Sequence, residues 1–139
     1  MYDLNRFITA QATTYSDAYF ELKNEKKTSH WMWFIFPQIA GLGHSSTSKF
    51  YELADVKEAR LFLMDPLLGK RLIEITSILV DADHNKTAKE IFGHPDDLKF
   101  HSCMTLFDLI SDDKESVFHE AIERYFDGIL DDGTLHLIG

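Results

Sequence analysis

Apolar residues along this chain recur three and four positions apart, the spacing of one α-helical face, and seldom alternate as they would in a half-buried strand. The clearest stripe is Leu68, Leu72, Ile75, Leu79 and Ala82, preceded by Asp65-Pro66, a capping side chain followed by a proline suited to a first helical turn. Gly69 inside that helix costs about 1 kcal/mol against alanine. It implies close approach by a bulky neighbour, for which the tryptophans are the natural choice. Asp3 caps a short helix with Leu4, Phe7 and Ile8 on one face, and Thr14 with Asp17 opens a second that carries Tyr15, Ala18, Tyr19 and Leu22. Thr47 to Leu53 reads as a short helix that exposes Ser48 and buries Phe50. Asp55 and Glu58 make a capping box for the next, with Val56, Ala59 and Leu63 inward. Thr87 and Glu90 bracket a brief helix ended by Gly93. Pro95 starts one whose apolar face is Phe100, Cys103, Met104, Phe107 and Ile110. Asp112 and Glu115 cap the last long helix, and the tail from Gly128 reads as an extended strap. The pattern predicts an all-α fold, a single multihelical domain of about 6–8 helices spanning residues 1–139.

One stretch departs from this periodicity. Trp31 to Phe36 is six apolar residues in a row, between His30 and the Pro37-Gln38 pair, and it leads into the Gly41-Leu42-Gly43 turn and the hydroxyls of Ser45, Ser46 and Ser48. Such a run would expose a sizeable apolar patch on a surface, so it belongs in the centre of the domain. Length alone does not separate helix from strand here, but its neighbours are helical and no partner strand is evident. Two tryptophans one residue apart point about 200° from each other on a helix. One therefore packs inward, leaving Trp33 to line a cleft.

Composition narrows the function classes. The chain has 139 residues, 45% of them hydrophobic, enough to bury a core without staples. A single cysteine, Cys103, precludes an intramolecular disulfide and suits a cytoplasmic location. The N-terminus carries no secretory signal pattern, and no run approaches the roughly 20 apolar residues that span a bilayer, so no membrane association is expected. A net charge of −9 argues against general nucleic-acid binding. The basic trio Lys23, Lys26 and Lys27 reads as a solvated helix end.

The usual motifs of chemistry are missing. Gly41-Leu42-Gly43 lacks the rest of any phosphate-loop or dinucleotide fingerprint. The seven histidines form no metal-ligand spacing, and Asp81, Asp83 and Asn85 imitate a calcium loop only at its start. No metal and no cofactor are expected. Asp97 and His101, four apart, are expected to face one another. Cys103, on an apolar face, reads as structural.

The blocks SHWMWFIFPQ, GLG, DPLLGKRL and DDLKFHSCMTLF resemble the family called domain of unknown function 1810, over roughly Leu4 to Leu137. The resemblance implies an α-helical fold and no known activity. The chain departs from the family pattern at Tyr51-Glu52, where tyrosine-glycine is usual, and at Cys103, which replaces a serine. Among the pattern positions, His30, Trp33, Gln38, Ser45, Arg71, Asp97, Lys99 and Ser102 are the candidate ligand-binding residues. Trp33 would stack on a planar group, the amide and hydroxyls would fix its edge, and Lys99 or Arg71 would meet negative charge. The favoured function is a small-molecule-binding domain for a nucleotide-like or other small anionic ligand. The alternatives are a hydrolase acting on such a ligand with His30 or Asp97 as base, and a protein-interaction or structural module. No catalytic residue and no protein partner is identified.

Overall fold

The computed structural model describes residues 2–138, which form ten helices and no strand. They are α1 (Asn5–Ala12), α2 (Tyr15–Lys23), α3 (Met32–Ile35), α4 (Ser46–Tyr51), α5 (Val56–Met64), α6 (Leu68–Asp81), α7 (Ala88–Phe92), α8 (Asp96–Ile110), α9 (Val117–Phe126) and α10 (Asp132–Ile138). The all-α class stands, but ten helices replace the expected 6–8. One of the additions is the tail. It is not an extended strap, because the Asp131 carboxylate accepts hydrogen bonds from the Thr134 backbone N–H and hydroxyl and so caps α10.

Local signals placed most helix starts. Asp55 accepts from the Glu58 N–H at 2.9 Å, Thr87 and Glu90 form a full capping box, and the Asp65 carboxylate accepts from the N–H groups of Leu67 and Leu68. Two expected caps are corrected. Thr14 makes no capping bond at α2, and α9 is capped by Ser116, which accepts from His119 N–H, instead of by Asp112 and Glu115.

Helix α8 lies in the middle, packed against α3, α5, α7, α9 and α10, and buries residues on every side. The expected stripe of α6 is buried at Leu68, Leu72, Ile75 and Leu79, against α2, α5 and α9. Gly69 is explained by backbone and not by a tryptophan. A Cβ there would lie 1.9 Å from the Leu63 carbonyl oxygen, so only glycine lets α5 and α6 approach this closely.

The central aromatic segment is one helical turn whose two tryptophans divide as expected: Trp31 is 0% exposed and Trp33 is half-buried. Trp31 and Phe36 join Phe92 and Phe100 in an aromatic cluster, with Phe92 stacked on Phe100 at 4.7 Å and edge-to-face contacts around Phe36. The expectation for Phe50 fails. It is 59% exposed, and Tyr51 packs instead on Phe7 and Phe34.

Buried polar groups tie these elements together. The Glu21 carboxylate, 9% exposed, accepts from the N–H groups of Thr28 and Ser29, the Ser29 hydroxyl and the Trp31 indole N–H. Burial raises its pKa, but these donors outweigh that and hold it at about 2. Lys27 is no solvated helix end: its ammonium pairs with Asp96 at 2.9 Å and lies over the Trp31 ring. Arg6 pairs with the Glu58 carboxylate, itself 1% exposed, and donates to the carbonyls of Phe50 and Glu52.

Cys103 is fully buried, and burial pushes its thiol well above the ordinary range. Labelling of the native protein by a thiol reagent at neutral pH is therefore expected to track unfolding. Rapid labelling under native conditions would contradict this burial.

Candidate functional site

A narrow slot opens between α3, α4 and the first turns of α8, with an interior of about 20 Å³, room for little more than one water molecule. Met32, Trp33, Phe36 and Ile39 give it apolar walls, while Gln38, Ser48, Tyr51, Glu52 and Lys99 supply polar groups. That interior is far below the volume of a preformed small-molecule pocket, so a ligand has to part its walls or sit at its mouth.

Long-range pairing builds the slot. The chain leaving α3 and the chain leaving α4 meet in a parallel bridge, with Leu53 N–H donating to the Gln38 carbonyl at 2.9 Å and Ala40 N–H to the Leu53 carbonyl at 2.8 Å. That bridge brings Gln38 and Glu52 into one wall. Arg6 fixes the Glu52 carbonyl from behind at 2.8 Å, so the backbone is held while the carboxylate remains available. Ser45 caps α4, its hydroxyl accepting from Ser48 N–H and donating to the Ser48 hydroxyl, both at 3.0 Å. Gly43 lets the loop close on Ser48, since a Cβ at Gly43 would fall 2.4 Å from the Ser48 Cβ. Gly41, at φ +104°, lies against Leu137 of α10.

Lys99 reaches across from α8. Its ammonium lies over the Trp33 ring, 5.1 Å from the centroid, and 3.7 Å from an Asp96 carboxylate oxygen. Among the described residues, the Trp33 indole N–H, the Gln38 side-chain amide, the Tyr51 hydroxyl and the Glu52 carboxylate have no hydrogen-bond or ion-pair partner. The contrast with Trp31, whose indole N–H is bound to Glu21, marks the two tryptophans' different roles.

Of the eight candidate residues, the fold brings Trp33, Gln38 and Lys99 together in this slot, with Ser45 one hydrogen bond behind Ser48. The other four lie outside its walls. His30 is exposed before α3. Arg71 sits over the Tyr15 ring, with an Nη1 3.4 Å from the Gln11 side-chain oxygen, and Gln11 in turn donates to the Phe34 carbonyl. Asp97 is 3.0 Å from His94 Nδ1 and does not pair with His101, which lies against Phe126 and the Ile129 carbonyl. Ser102 donates to the Leu98 carbonyl and to Asp131, helping to dock the tail. Arg71 and Ser102 thus brace partly buried structure, whereas Asp97 pairs with an exposed histidine and His30 lies on the surface.

Sequence reasoning missed Tyr51 and Glu52 as wall residues. Their only advance sign was the departure from the tyrosine-glycine pair, because the bridge that positions them joins residues 14 apart. The slot holds one ammonium and one carboxylate but no paired nucleophile and base: the Ser48 hydroxyl bonds to Ser45, and neither His30 nor Asp97 reaches it.

The similarity comparisons bear out the resemblance. The model of a family described as a protein of unknown function, DUF1810, matches residues 1–138. The crystal structure of the conserved hypothetical protein Rv1873 from Mycobacterium tuberculosis is 40% identical, covers 98% of this chain and 96% of its own, and superposes with a TM-score of 0.94. No match was found among curated proteins. The chain belongs to the DUF1810 family of proteins of unknown function.

Proposed function

We propose that this protein is a small-molecule-binding domain whose slot takes a small anionic ligand. The observation that carries this is the convergence of Trp33, Gln38 and Lys99 on one cleft, with the amide and indole donors unspent on the protein. Lys99 supplies the cation, Gln38 and Ser48 the directional hydrogen bonds, and Met32, Phe36 and Ile39 the apolar contact. The lysine ammonium already covers the Trp33 ring, so a stacked nucleobase would have to displace it. That favours a compact anion over a nucleotide. The cytoplasm is the proposed compartment, consistent with a lone, buried cysteine.

A thermal-shift screen with short carboxylates, sugar phosphates and nucleotides tests this reading. A ligand at a hundred times its dissociation constant stabilises by about 2.7 kcal/mol. The shift is expected to disappear in Lys99→Met and shrink in Gln38→Ala. A stabilising ligand to which both variants respond like the wild type would place binding elsewhere.

A further inference from the structure

We infer that the ligand of this slot is a short zwitterion, carrying an ammonium as well as a carboxylate, such as a small α- or ω-amino acid. This rests on the slot being an anion-binding site and goes further by naming the second charge. Lys99 provides one cation, yet Glu52 lines the same walls. A carboxylate there repels a simple anion and raises the cost of desolvating it.

Glu52 is not committed to holding the fold. Arg6 takes only its backbone carbonyl, and among the described residues its carboxylate has neither an ion-pair nor a hydrogen-bond partner. Nearby acids are engaged: Glu58 is bound by Arg6 and the Ala54 N–H, and Asp96 by Lys27. The isolated bridge between Ile39 and Leu53 holds Glu52 beside Gln38, and Arg6 fixes the Glu52 carbonyl from behind, which is how a recognition side chain is positioned. Lys99, on α8, approaches from a separate element. One ammonium and one carboxylate on the walls of the same slot complement a ligand bearing the opposite pair. The apolar residues Met32, Phe36 and Ile39 suit the short carbon chain between its ends.

The test uses calorimetric titration of the full chain with matched probes. Glycine, L-alanine, β-alanine and 4-aminobutyrate are compared with the carboxylic acid and the amine obtained by deleting one charged end of each. At least one zwitterion is expected to bind about ten-fold or more tightly than both its matched acid and its matched amine. Glu52→Gln should reduce zwitterion affinity to the level of the matched acid and leave the acid's own affinity unchanged or improved. Lys99→Met should abolish binding of zwitterion and acid alike.

Acids that bind as well as zwitterions, with loss in Lys99→Met but no effect of Glu52→Gln, would overturn the zwitterion assignment and leave the anion site standing. Binding of no carboxylate or zwitterion, or binding untouched by Lys99→Met, would overturn both. Dichroism and melting of both variants establish that they are folded, since each side chain is only half-buried.

Discussion

Replacing Glu21 by alanine is expected to cost about 3–5 kcal/mol of unfolding free energy, a large share of what a domain of this size possesses. The carboxylate is the common acceptor for two backbone N–H groups, the Ser29 hydroxyl and the Trp31 indole. Its loss leaves those donors without their acceptor beneath the α3 turn, and Trp31 is the largest fully buried side chain. The same interactions set a pH dependence. The folded pKa, about 2, lies below the ordinary value of 4.5. Glu21 therefore contributes its full ionic stabilisation above about pH 4.5 and loses it as the pH falls toward 2. Urea unfolding at several pH values reads both effects. Glu21→Ala should be destabilised at neutral pH, and the gap to wild type should narrow across that acid window. A variant within about 1 kcal/mol of wild type at neutral pH would show that Glu21 does not organise the segment.

Gly69→Ala is expected to destabilise by about 3 kcal/mol, although alanine is intrinsically the better helix former by about 1 kcal/mol. The added methyl carbon would fall 1.9 Å from the Leu63 carbonyl oxygen and 2.8 Å from its carbonyl carbon. Those are backbone atoms, so rotamer changes give no relief and α5 must move away from α6. Denaturant unfolding of the purified variant measures the cost. A stabilised Gly69→Ala would mean that propensity, and not helix contact, governs this position.

The parts of the fold written locally were readable in advance. The Asp55, Asp65 and Thr87 caps and the α6 stripe each depend on residues close in sequence, and each formed in outline, although α6 runs from Leu68 to Asp81, not from Pro66 to Ala82, and Glu58 accepts from the Ala54 N–H instead of closing a box on Asp55. Trp31 and Trp33 also divide as expected, although Trp31 precedes α3 and its indole N–H is bound by Glu21, so helical geometry alone does not place it. What depended on distant partners was not readable. Lys27 resembles its solvated neighbours Lys23 and Lys26 until Asp96, 69 residues later, is brought beside it. Arg6 gives no sign that it holds Glu58 and the end of α4. At the site, polar family-pattern residues divided into two groups. Ser102 and Arg71 brace buried structure, whereas Gln38 and Lys99 face the slot, and only tertiary packing separates the two. Glu52 is visible in the sequence only as a departure from the family's tyrosine-glycine pair, and it is the parallel bridge that makes it a wall of the cleft.

The central claim, that a ligand enters the slot beside Trp33, is tested most directly by the two indole N–H signals in a nitrogen–proton correlation spectrum. There are two tryptophans, and assignment needs only Trp33→Phe. Trp33 lines the slot with its indole N–H unbound among the described residues, while that of Trp31 is held by Glu21 at 2.9 Å. On titration with the ligand found by thermal shift, the Trp33 indole signal should move in proportion to saturation and the Trp31 signal should stay in place. Saturable binding that leaves the Trp33 signal fixed, with the shifts mapping to another face of the protein, would contradict the account.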